Sequence, residues 1–195
     1  SLQINMPKKI VITGGLGYIG TELCKIYSGY SWNDHITVID NRFISERVNQ
    51  IRNWNMNFVH GDILDKDLIK EHCENADVVH HLAGITSVPK VKSEASSEKE
   101  KIIEEVGVVG TQNILDVISN ECKIILPSSH VVYEGLTEIK ENIQEDEKTL
   151  PVLSYGKSKD HNEKQIQNSG KNYIILRLGS VYGYSSDTTR LDIMT

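Results

Sequence analysis

Hydrophobic positions along this chain gather in short, nearly continuous runs. Apolar and β-branched residues cluster at 9–13 (KIVIT), 35–40 (HITVID), 56–61 (MNFVHG), 76–84 (ADVVHHLAG), 123–129 (KIILPSS) and 172–183 (NYIILRLGSVYG). Such runs suit strands covered on both faces of a parallel sheet, where neither face is left for water. Stretches with helical spacing lie between them. Tyr18–Tyr27 and Ser154–Gln167 read as helices, and from Glu98 to Ile118 a stripe of Ile102, Val106, Val109, Ile114 and Ile118 faces inward. Strands and helices in alternation predict an α/β fold: a doubly wound parallel sheet with helices on both faces and right-handed crossovers. The polar stretch from Glu134 to Pro151 interrupts the rhythm and reads as a surface loop.

Composition narrows the function classes. The 195 residues suit one domain with a sizeable core. With 21 Lys and Arg against 27 Asp and Glu, the net charge is −6, which gives no support for nucleic-acid or anionic-membrane binding through bulk charge. No apolar run approaches the ~20 residues of a membrane span, and the N-terminus lacks a signal-peptide pattern. Ser1–Asn5 read as a short leader ahead of Met6. The scattered cysteines Cys24, Cys73 and Cys122 are expected as buried free thiols in a reducing cytoplasm.

The first strand runs directly into glycines, TGGLGYIG. Gly15, Gly17 and Gly20 fit G-x-G-x-x-G, while Gly14, Gly17 and Gly20 fit G-x-x-G-x-x-G. Glycine permits a tight turn and lets backbone approach a pyrophosphate, and the following helix start offers free N–H groups to its charge. Asp40 ends the next run and can accept the ribose hydroxyls of an adenosine, which favours NAD; Arg42 nearby keeps NADP open. Asp62 and Ile63, after the third strand, are placed for adenine. Ala83 and Gly84, after the fourth, let a cofactor pass closely. His80 and His81 alternate across a strand and read as satisfied core histidines rather than metal ligands.

Tyr155 and Lys159 stand four apart at the start of a helical pattern, so they share a face. An ammonium beside a phenol favours the phenolate, which suits Tyr155 to general acid–base work near neutral pH. Ser128 and Ser129 end the fifth strand, and ligands of doubly wound sheets sit beyond carboxyl strand ends. A serine, tyrosine and lysine beside a nicotinamide suit hydride removal from a secondary alcohol.

Taken in order, TGGLGYIG, VID, GDI, HLAG, PSSHVVYEG, YGKSK and LRLGSVYG cover the chain from Lys8 to Gly183. In them the chain resembles the extended short-chain dehydrogenase/reductases of the NAD-dependent sugar epimerase/dehydratase family. The resemblance implies a Rossmann-type domain over 6–183, with 184–195 the start of a truncated substrate-binding region. It puts Gly14, Gly17, Tyr18, Ile19 and Gly20 at the pyrophosphate and Asp40 with Asn41 at the adenosine. Asp62 and Ile63 go to the adenine, and Leu82, Ala83 and Gly84 flank the cofactor. Ser129, Tyr155 and Lys159 match the catalytic set, with Tyr155 and Lys159 also touching NAD. Ser87, Ser129 and Ser180 fall to a nucleotide-sugar substrate. It also implies a homodimer through the helices around 98–118 and 154–167.

Departures from the family pattern bear on the reaction. Gly107 stands where an asparagine is usual, and Ser180 where another is frequent. His130-Val131-Val132 replaces the Asp-Glu pair by which sugar dehydratases eliminate water. These residues favour a nucleotide-sugar 4-epimerase working through a keto-sugar. The alternatives are an NAD(P)-dependent reductase or dehydrogenase of another substrate and a non-catalytic NAD-binding module. Family members add a substrate domain after this point, so a fragment or an atypically short member is expected.

Overall fold

A computed structural model of the chain describes residues 6–30, 34–85 and 97–186. Its six strands are β1 (Lys9–Thr13), β2 (His35–Asp40), β3 (Asn57–His60), β4 (Val78–His81), β5 (Lys123–Ser129) and β6 (Asn172–Leu178). They form one parallel sheet in the order β3-β2-β1-β4-β5-β6. The strand order reverses between β1 and β4, and this opens a crevice at the carboxyl edge where ligands of such sheets sit. The doubly wound, Rossmann-type expectation therefore holds.

Side-chain alternation splits the core into two layers. On one face Ile10, Ile12, Ile36 and Val38 pack with Cys24 of α1 (Tyr18–Tyr30) and with Val48 and Ile51 of α2 (Ser45–Asn53). On the other, Val11, Ile39, Val79, Ile124 and Leu126 meet α3 (Lys66–Cys73), α5 (Gly110–Val117) and α6 (Ser154–Asn168). Asp65 starts α3 by accepting the N–H groups of Asp67 and Leu68, both at 3.1 Å. The three cysteines are buried free thiols, and burial pushes Cys24 and Cys73 up to about 12 and Cys122 to about 11.

The stretch expected as one helix from Glu98 to Ile118 departs from a single stripe. It comprises α4 (Ser97–Glu104), a π-helical turn at Glu105–Val109, and α5. The wider turn advances the backbone by an extra residue, so side chains before and after it fall on different faces. Ile114 and Ile118 are buried as expected, whereas Ile102 is 46% and Val109 41% exposed, and Ile103 takes the inward place in α4. The sixth run is also shorter than its pattern, because β6 ends at Leu178 and 179–183 leave the sheet. Glu134–Pro151 is an irregular surface segment.

Thr21, 1% exposed in the first turns of α1, carries a buried hydroxyl with no hydrogen-bond partner among the described residues. Thr21→Val keeps the shape and removes the unpaired group. We expect it to raise the unfolding free energy by about 1 kcal/mol, seen as a higher urea midpoint with unchanged m-value. A lower midpoint would contradict this account of the hydroxyl.

Candidate active site

The carboxyl edge of β1 is built around glycine. Gly14 has φ +68, and a Cβ there would lie 2.7 Å from the Ala83 nitrogen, so both conformation and space require glycine. At Gly20 a Cβ would come within 2.5 Å of the Gly14 carbonyl, which lets α1 seat its first turn on the loop. Gly17 N–H donates to Gly14 O at 3.1 Å and Thr21 N–H to Gly17 O at 3.0 Å. Tyr18 and Ile19 thus begin α1, where first-turn N–H groups precede any intrahelical acceptor and suit an anion. The Tyr18 hydroxyl donates to Gly183 O, and Ser185 Oγ donates to Tyr18 O at 2.8 Å, so 183–185 return over this turn.

Asp40 is 4% exposed and ties the end of β2 to the glycine turn. Its Oδ2 accepts from Leu16 N–H at 3.0 Å, and its Oδ1 accepts from Arg42 N–H at 3.0 Å and Arg42 Nε at 3.3 Å. The Arg42 guanidinium also lies 3.8 Å from where a Gly17 Cβ would be. Asn41 is exposed, and its carbonyl accepts from His60 Nε2 at 3.1 Å. Asp62 Oδ1 accepts from Leu64 N–H at 3.0 Å, while the Ile63 side chain packs inward beneath Gly110. Leu82 N–H donates to Thr13 O at 3.1 Å, and Ala83 N–H to Thr13 Oγ1 at 3.2 Å. Gly84 is exposed, with no described residue within 4 Å of where its Cβ would stand. Ser87 lies outside the described residues, as do 187–195 of the expected substrate region.

Beyond β4, the strand end of β5 meets α6. Ser129, the last residue of β5, is extended (φ −145, ψ 148), and its Oγ accepts from Val131 N–H at 3.4 Å. Ser128 points to the opposite face and donates to Glu163 Oε1 at 2.5 Å. The start of α6 is held by Glu134, whose Oε1 accepts from Val152 N–H at 2.7 Å and Leu153 N–H at 2.5 Å. Tyr155 occupies the first turn. One turn on, Lys159 Nζ donates to Pro127 O at 3.0 Å and sits 5.7 Å from the Tyr155 ring centre. Burial pulls the Lys159 ammonium down to about 8, opposed by the Glu163 charge. Ser180 is exposed, past the end of β6.

His81 joins these two ends of the edge. It is 2% exposed, with Nδ1 2.9 Å from Thr13 Oγ1 and Nε2 2.9 Å from Thr111 Oγ1. Thr111 commits its one hydroxyl proton to Gly107 O at 2.6 Å, so it accepts from His81 Nε2–H; Thr13 then donates to Nδ1. Asn162 Nδ2 of α6 donates to the same Gly107 O at 2.8 Å. The chain of bonds therefore runs from the Ala83 backbone to the π turn and onto α6. Gly107 is packed against α6: a Cβ there would lie 2.0 Å from Ser158 Oγ, so that hydroxyl would have to turn aside. Histidine in the core was legible in the sequence; the partners Thr111 and Asn162 were not, because only tertiary packing brings them together.

A family model described as NAD dependent epimerase/dehydratase family matches residues 10–194. A dTDP-D-glucose 4,6-dehydratase of Dictyostelium discoideum is 31% identical, over 90% of this chain and 44% of its own length. A UDP-glucose 4-epimerase of Mycoplasma genitalium is also 31% identical, over 93% of this chain and 55% of its own. Among solved structures, the UDP-glucuronic acid 4-epimerase from Bacillus cereus in complex with NAD superposes with a TM-score of 0.72 at 25% identity, covering 91% of this chain and 58% of that one. The UDP-glucose 4-epimerase from Brucella ovis in complex with NAD gives 0.69 at 28%, covering 89% and 51%. The chain spans about half the length of these relatives.

His81 makes stability depend on acid. Burial pulls it from 6.5 down to about 3, so between those values the unfolded chain binds a proton that the folded one refuses. Its contribution is complete above pH 6.5 and is lost as pH falls, by up to about 1.4 kcal/mol per pH unit. Urea unfolding between about pH 7 and about pH 5 checks this slope, which His81→Gln should flatten.

Proposed function

The chain belongs to the NAD-dependent epimerase/dehydratase family, and on that premise we propose that it is the cofactor-binding and proton-transferring part of a nucleotide-sugar 4-epimerase. Residues 6–183 form the NAD-binding domain, with the substrate-binding region beginning at 184. The residues present fit the cofactor. The turn through Gly14, Gly15 and Gly17 turns its one side chain, Leu16, into the core, it leads to the first N–H groups of α1, and a buried carboxylate closes the neighbouring strand. Gly17, Tyr18 and Ile19 would hold the pyrophosphate, Asp40 the adenosine ribose, and Lys159 the nicotinamide ribose. When bound, NAD supplies the acceptor and later the donor of a hydride.

Tyr155 takes the proton from the C4 hydroxyl of the sugar and returns it after the transient keto-sugar has presented its other face. Lys159 stands beside the ring to stabilise negative charge on the phenol oxygen, and Ser129 orients the reacting oxygen. The observation that carries this reading is the anchoring of Lys159 on Pro127 O, two residues before Ser129, with Tyr155 one helical turn away. Four-epimerisation is preferred to dehydration because His130, Val131 and Val132 offer no carboxylic acid next to Ser129.

Incubation of the chain with NAD and UDP-glucose or UDP-glucuronic acid tests the proposal. Expected is the 4-epimer without accumulation of NADH at 340 nm. Tyr155→Phe should lower kcat by about 10²–10⁴-fold while leaving NAD affinity within about threefold. Steady NADH accumulation would instead indicate a dehydrogenase, and NAD binding without turnover a cofactor-binding module.

A further inference from the structure

Tyr155, Lys159 and Glu163 recur every fourth residue on α6, so one face of the helix carries all three. Opposite Lys159 and Glu163, consecutive residues of β5 supply the partners. Pro127 O accepts from Lys159 Nζ at 3.0 Å, Ser128 Oγ donates to Glu163 Oε1 at 2.5 Å, and Ser129 is the next residue at the strand end. Glu163 is 2% exposed. Its other contacts are to Arg177 of β6, whose Nε lies 3.1 and 3.2 Å from the two carboxylate oxygens and whose Nη2 lies 2.7 Å from Oε2. Arg177 in turn contacts Glu145 O at 2.8 Å and the Tyr133 hydroxyl, and stacks 5.1 Å from that ring's centre.

We propose that Glu163 is a positioning residue for the Tyr155–Lys159 pair: shared between Ser128 and Arg177, its carboxylate fixes the register of α6 on β5 and keeps the Lys159 ammonium charged. The role rests on the acid–base function proposed for Tyr155 and Lys159. A carboxylate in this place does more than a hydrogen-bonding group of equal size. The charged and titratable groups near Lys159 are Tyr155 and Glu163 on α6, the neutral His81 ring from β4, and Arg177 behind Glu163, with Tyr133 beyond it. Among the described residues, Glu163 is the negative charge that acts on Lys159. Without it, desolvation by burial is left unopposed and favours loss of the lysine proton. The pairing with Arg177 keeps the buried carboxylate ionised, and a buried ion pair specifies register when each member is fully bonded.

The test is an NMR titration of lysine ε-carbon and ζ-nitrogen signals in the full chain without cofactor, with Lys159 assigned by its loss in Lys159→Arg. The wild-type midpoint is expected near pH 8. Glu163→Gln retains size and one acceptor, and should move the midpoint down by about 1–2 pH units, carrying the alkaline limb of turnover with it. Arg177→Gln takes away the partner that keeps Glu163 ionised, so it should move the midpoint down as well. An unmoved midpoint in folded Glu163→Gln would overturn the proposal. Should that variant fail to fold, an unmoved or raised midpoint in Arg177→Gln overturns it equally. The titration needs neither NAD nor sugar, so failure of the epimerase assay and failure of this role are read separately.

Discussion

At the carboxyl edge of β1 the chain turns through Gly14 so close to the backbone of Ala83 that no side chain fits between them. This close approach of two backbones is the constraint on which the candidate site depends. It sets α1 directly on the end of the strand, brings the loop after β4 beside the loop after β1, and leaves Thr13 with both a carbonyl and a hydroxyl facing that second loop. Asp40 then closes the arrangement from β2 by accepting from Leu16 N–H. A side chain at Gly14 would separate these parts together, because they meet over the same few ångströms.

The second half of the edge is organised by polar groups inside the core. Glu163, Arg177, Ser128, Asn162, Thr111 and His81 are bonded to one another or to carbonyls of the neighbouring elements, in places where apolar packing would leave several helix positions equally good. Burying such groups is costly unless each finds a partner, and the cost is what makes them selective. They admit one register of α6 on β5 and one shape of the π turn. Tyr155 and Lys159 inherit their positions from that selection.

Much of this was legible in the sequence, for identifiable reasons. Parallel strands covered on both faces show as continuous apolar runs, so β1, β2 and β5 match their patterns end to end. The glycines, Asp40 and the Tyr155–Lys159 spacing also stand out, because local geometry demands those residue types. What escaped the reading is tertiary. Periodicity assumes a constant rise, so the π turn at Glu105–Val109 displaced Ile102 and Val109 from the expected inward stripe. Glu163 lay in plain view four residues after Lys159, yet its meaning depends on Arg177, which comes from a strand closing the far side of the sheet.

The buried thiols lend the fold a chemical clock. With their ionisation suppressed and their sulfur atoms enclosed, Cys24, Cys73 and Cys122 resist alkylation while the protein stays closed. Cys24 lies on one side of the sheet, and Cys73 and Cys122 on the other. Labelling of each therefore times the opening of its own layer, and any difference between them reveals whether the two halves of the sandwich come apart together or in turn.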